Sequence, residues 1–176
     1  MNSFSNAKKI CICAALIAVS FITSNIKILD MPFGGAVTLC SMLFISLVGF
    51  YYGPVWGISA AIVFGAIQFI TNPFFLSLPQ FMCDYILAFG SLGLSGFFHN
   101  QKHGLPIGYI VGVFGRFVFC FLSGVLFFAA YTPKNMLAPV YSLLYNGGYI
   151  GVEAIITVIL ISLPPIKKAI TKVKYL

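Results

Sequence analysis

The chain has 176 residues, of which 60% are hydrophobic and 7% charged, with a formal net charge of +7. A soluble domain carries about a quarter charged residues, so this composition and a mean hydropathy of +1.03 exclude that class and point to an integral membrane protein. The positive charges are lysines scattered along the chain rather than gathered into one basic strip, which argues against a nucleic-acid surface.

A spanning helix needs about 20 mainly apolar residues. Residues 10–25, 37–52, 55–71, 77–98, 106–131 and 139–163 meet or approach that length. Their apolar runs are continuous and too long for the alternating strands of a lipid-facing barrel. The expected fold is therefore all-α, a single domain over 1–176 built as a bundle of six transmembrane helices. Lys8, Lys9, Lys102, Lys167, Lys168, Lys172 and Lys174 fall on the side of both termini, against Lys27 and Lys134 on the other. Lysine-rich ends stay inside, so both termini are expected in the cytoplasm and the chain in the cell membrane. Lys8 and Lys9 before an apolar run resemble a signal peptide, but no small-x-small cleavage site follows before Asn25. The segment is read as a retained first helix.

That first helix offers two stripes of small residues, Cys11 with Ala15 and Ala14 with Ala18. Small faces let helices approach closely in lipid, either inside this bundle or against a separate membrane subunit. In the loop at 25–36, Pro32 and the Gly34-Gly35 pair break any helix, while Met31 and Phe33 are apolar. The loop reads as a lid over an outward pocket or as an interfacial anchor. Gln68, near the outer end of the third span, needs a partner in lipid and is expected to face inward.

In the fourth span, steps of three and four place Ser77, Gln80, Asp84, Ala88 and Ser91 on one face. Asp84 is one of three acids in the chain. A charge at the centre of a spanning helix costs about 2.5–3.5 kcal/mol on insertion scales, so such residues face a cavity, a partner or a ligand. The fifth span carries Arg116, Cys120, Ser123 and Phe127 in one stripe, with Phe128 beside it. The sixth starts at Pro139 and presents Ser142, Asn146, Tyr149 and Glu153 together, with Tyr141 and Tyr145 on the next face. A guanidinium at membrane depth pairs; depth favours Glu153 as its partner, which leaves Asp84 as the uncompensated acid.

No phosphate-binding loop, zinc-binding helix motif or nucleophile elbow occurs, and His99 and His103 lie in a loop. An odd number of cysteines (Cys11, Cys13, Cys40, Cys83 and Cys120) without a CxxC pair supports neither a disulfide frame nor a metal site. The chain is not expected to be an enzyme or to hold a cofactor or metal. What remains is a carboxylate, an amide and the outer aromatics Phe74, Phe75, Tyr85, Phe128, Tyr141 and Tyr145. That set suits a flat organic cation, each ring face adding about 0.5–2 kcal/mol of cation–π attraction. The alternative for the aromatics is a lipid-facing belt.

The segments MPFGGAVTL (31–39), CDYILAFGSLGLSG (83–96), GRFVFCFLSGVLFF (115–128) and VYSLLYNGGY (140–149) resemble the thiamine-specific substrate-binding subunits of energy-coupling-factor vitamin transporters. The resemblance runs in order along nearly the whole chain. It implies a receptor for thiamine or a close relative, with an outward pocket, a transmembrane scaffold subunit and two ATPase subunits as partners. It places the family's pocket acid on Asp84, its adjoining tyrosine on Tyr85, its helix 6 tyrosine and asparagine on Tyr141 and Asn146, and its helix 5 aromatic on Phe128. The lid corresponds to 31–35, including Phe33, and the scaffold-contacting face to Cys11 and Ala15. Where the family usually has a histidine in helix 5 this chain has Cys120, whose thiol donates weakly. A membrane enzyme or assembly protein using the same pocket is the rival reading, separable by whether thiamine co-purifies.

Overall fold

Prolines and glycines punctuate the chain, and the helix boundaries follow them. The computed structural model describes residues 3–174. Helix α1 spans Ser3–Ser24, and a hairpin follows of strands β1 (Lys27–Asp30) and β2 (Ala36–Thr38). Helix α2 covers Ser41–Tyr52 and α3 Pro54–Thr71, joined at Gly53, whose φ of 89° suits a residue without a Cβ. Helix α4 runs Leu78–Phe98, α5 Gly104–Phe127, α6 Ala138–Ser162 and α7 Pro164–Lys174. Pro54, Pro79, Pro139 and Pro164 all sit in a first turn, where a missing N–H costs nothing. Five of the described helices are long and apolar enough to cross a membrane, and α2 is a sixth, shorter apolar helix.

Three details differ from the sequence reading. The second helix begins at Ser41, not at residue 37, because 36–38 pair antiparallel with 27–30 in the register Lys27–Thr38, Leu29–Val37 and Asp30–Ala36. With 12 residues, α2 is about 18 Å long, so the hairpin fills the outer end of that position in the bundle. Helix α4 is continuous but not uniform: it widens to a π turn over Met82–Leu87 and tightens to a 3-10 helix over Ser91–Phe98. Beyond the last span, α7 packs Ile166 and Ile170 toward the bundle. Tyr51 donates to the Ile170 carbonyl at 3.2 Å, and Lys174 reaches the His99 carbonyl and lies over the Phe50 ring.

The core gathers where α2, α3, α4 and α5 meet, around Ile45, Phe64, Ala88, Leu92 and Tyr109, all fully buried. In lipid the hydrophobic effect does not drive helices together, so small residues must permit close van der Waals contact. A Cβ added at Gly57 would lie 2.6 Å from Gly49 Cα and 2.8 Å from the Gly93 carbonyl. Ser95 donates to the Ser46 carbonyl at 2.7 Å across the same contact. Helix α1 packs at the edge through Cys13 and Ser20, the latter donating to the Ser41 carbonyl at 2.7 Å. Cys11, Ala14, Ala15 and Ala18 face outward and are exposed. The small stripes of α1 therefore do not pack within this chain.

A Cβ at Gly93 would collide with the Ile58 and Gly57 backbone, whereas one at Gly148 meets nothing within 4 Å. Gly93→Ala should destabilise the detergent-solubilised protein by about 1–3 kcal/mol, the usual cost of overpacking, read as a lower thermal midpoint. Gly148→Ala should leave the midpoint unchanged or raise it.

Candidate ligand-binding site

The helix ends nearest the hairpin enclose a cavity of about 230 Å³. Asp84, Tyr85, Asn146, Tyr141, Phe128, Cys120, Gln68 and Phe33 all line it, as do Arg116 and Glu153. Phe75 does not, and at 58% exposure it belongs to the outer surface.

Asp84 lies within the π turn of α4, which sets its side chain beside that of Gln80 one turn earlier. Gln80 Nε2 donates to Asp84 Oδ2 at 2.6 Å. The carboxylate has a neutral amide at contact and, among the described residues, no salt-bridge partner; Arg116 acts on it from longer range. Ser123, buried on the neighbouring face of α5, sets its hydroxyl near this carboxylate without a hydrogen bond of normal geometry.

The expected ion pair between Arg116 and Glu153 is not formed. Glu153 instead accepts from Thr38 N at 3.0 Å, Thr38 Oγ1 at 2.6 Å, Ser41 Oγ at 3.3 Å and Met42 N at 3.2 Å. The start of α2 offers N–H groups without intrahelical partners and the positive end of the helix dipole, which together hold an anion. Arg116 stacks its guanidinium over the Phe89 ring, 4.2 Å from the centroid, and its buried Nε has no hydrogen-bond partner.

The polar residues expected to meet a ligand are in part engaged by the protein. Tyr85 donates to the Asn72 carbonyl at 3.1 Å and accepts from Phe74 N at 3.0 Å, bracing the α3–α4 loop. Asn146 donates to the Cys120 carbonyl at 3.2 Å and the Ser142 carbonyl at 3.0 Å, while Tyr149 donates to its Oδ1 at 3.1 Å. A second lone pair on Oδ1 is its remaining capacity. Gln68 Nε2 donates to Ser24 Oγ at 2.6 Å, tying α3 to α1 at the mouth.

The aromatic wall is better formed than the sequence implies. Phe74 stacks on Phe128 with centroids 5.4 Å apart and planes at 25°, and Tyr141 lies 5.9 Å from Tyr145. Phe33 adopts φ 64° and ψ 21°, a left-handed conformation costing a bulky side chain about 1–2 kcal/mol. It is held over the mouth by ring contact with Tyr131 at 4.9 Å and by Tyr145, whose hydroxyl accepts from Gly35 N at 2.9 Å and donates to the Pro32 carbonyl. Gln80 and Tyr149 thus line the cavity without having been singled out as site residues, while Tyr145, named among the outer aromatics, also ties down the hairpin. The polar stripes on α4 and α6 carried a signal for them, but not their partners.

Comparisons with known proteins agree with this architecture. The family model described as "Thiamine transporter protein (Thia_YuaJ)" matches residues 10–173, which take in the hairpin and every cavity-lining residue. The thiamine transporter ThiT of Bacillus subtilis (strain 168) is 31% identical over 170 residues, covering 84% of this chain and 88% of that one. ThiT of Lacticaseibacillus paracasei is 31% identical over 122 residues, covering 62% and 59%. The solved structure of ThiT from Listeria monocytogenes superposes with a TM-score of 0.74 at 25% identity, over 92% of this chain and 97% of that one. On sequence and on fold, this chain belongs to the thiamine transporter protein family.

Proposed function

We propose that this chain is the substrate-binding membrane subunit of an ATP-driven vitamin transporter and holds thiamine in the cavity beneath the hairpin. The observation that carries the reading is Asp84: a carboxylate with no salt bridge, set in an aromatic-walled cavity of a thiamine transporter family member. Thiamine joins a permanently cationic thiazolium ring to an aminopyrimidine. Asp84 opposes the cation, while the faces of Phe128, Tyr141 and Phe33 flank flat rings, each adding about 0.5–2 kcal/mol where it meets the charge. Tyr85 and Gln68 hold the wall and the mouth, and Asn146 and Cys120 form the floor. Arg116 and Glu153 serve the shape of the cavity, separately rather than as a pair. Because Cys120 is a weak donor where a histidine is usual, a close relative such as the pyrimidine half of thiamine is the second candidate ligand.

The chain takes no part in bond making; energy comes from partners. We assign to it a transmembrane scaffold subunit and two ATPase subunits, with the exposed face of Cys11, Ala14, Ala15 and Ala18 as the surface offered to the scaffold. The lysine distribution supports cytoplasmic termini in the cell membrane, with the cavity opening outward at the opposite end.

Calorimetric titration with thiamine and with its pyrimidine half tests the site. Asp84→Asn should weaken thiamine binding by about 10–100-fold, the scale of a hydrogen-bonded charge, while Arg116→Lys changes it by less than about threefold on the scale of a weakly coupled cation. Unchanged affinity in Asp84→Asn would refute the assignment. Tyr145→Phe, which frees residues 32–35, should act mainly on the dissociation rate, raising it about tenfold for the loss of two hydrogen bonds in a chase with unlabelled thiamine.

A further inference from the structure

Gln80 lies one helical turn before Asp84 and is 1% exposed, in a place where an amide must find every partner inside the protein. Its Oε1 accepts from Leu76 N at 3.0 Å, and its Nε2 donates to the Phe74 carbonyl at 3.2 Å and to Asp84 Oδ2 at 2.6 Å. One side chain thus binds the loop that carries Phe74 and, with its other hydrogen, the cavity acid. Phe74 is in turn stacked on Phe128, and Tyr85 clamps the far side of the same loop.

We propose that Gln80 is a positioning residue for ligand binding: it fixes the rotamer of Asp84 so that Oδ1 meets the ligand's cation, and it locks the Phe74–Phe128 wall to that carboxylate as one unit. The proposal rests on the thiamine-site reading above. Its physical core is that a neutral donor orients a carboxylate without cancelling its charge. A lysine or arginine at position 80 would fix the same oxygen but leave a neutral pair with nothing to offer a cation. The amide also supplies two donors in one plane, so acid and loop are set by a single rigid group. In the absence of this donor the acid would sample rotamers, and ordering it would fall on the ligand.

A double-variant cycle on the full chain tests this, with thiamine as titrant in calorimetry. Gln80→Met keeps the bulk and removes both donors; it should weaken thiamine binding about tenfold, the loss of one charge-assisted hydrogen bond's orienting effect. If Gln80 acts through Asp84, the Gln80→Met/Asp84→Asn double variant should bind within about twofold of Asp84→Asn alone, because neighbouring groups acting as a unit are non-additive. A merely structural role would instead multiply the two losses. Wild-type affinity in Gln80→Met, or multiplying losses, overturns the positioning role and leaves the site reading standing. Unchanged binding in Asp84→Asn overturns the site reading itself. Should Gln80→Met not yield a monodisperse protein, Gln80→Asn shortens the amide's reach by one methylene and is read by the same criteria.

Discussion

Four hydrogen bonds donated to the Glu153 carboxylate decide how the outer half of this molecule is built. They come from the end of the second strand and from the first turn of α2, and they are received at the middle of α6. A buried carboxylate left without such donors would be strongly destabilising, so strand, helix start and α6 are held in a single arrangement. The hairpin then takes the outer level that a longer α2 would have occupied. A space remains beneath it, and that space is the cavity.

The same arrangement explains how the two other charges at membrane depth are accommodated. With Glu153 occupied, Arg116 has no carboxylate at bonding distance and rests on the face of Phe89, where the ring's negative quadrupole offsets part of its charge. Asp84 forms no salt bridge among the described residues, and its hydrogen-bond donor is the neutral Gln80 amide. Three ionisable groups therefore line one small cavity without closing into salt bridges with one another. Salt bridges among them would leave no charge to offer a cation, which the proposed thiamine site requires.

Much of this was legible from residue types alone. Pro139 marked the start of α6, and the polar stripe on α4 led to Asp84, which lines the cavity. The hairpin was not legible because residues 36–47 read as one apolar run, and a strand merging into a helix leaves no break in hydrophobicity for periodicity to detect. That omission hid the Thr38, Ser41 and Met42 donors that take up Glu153, which depth alone pairs with Arg116. The π turn has no compositional signature: it depends on what α4 packs against, and Gly65 meets the Tyr85 carbonyl closely in that stretch. The amphipathic α7 was missed because two prolines and four lysines suggest a tail, yet Ile166 and Ile170 recur at the spacing that seats a helix on the bundle.

The chain's single tryptophan, Trp56, sits in the first turn of α3 beside Tyr52, 6.5 Å between ring centroids, at the corner formed by Gly53. It has no place in the cavity wall. Intrinsic ultraviolet emission from this protein is consequently a gauge of the tight glycine corner at the far end of the bundle. The chamber under the hairpin, lined by phenylalanines and tyrosines, is optically silent against that signal.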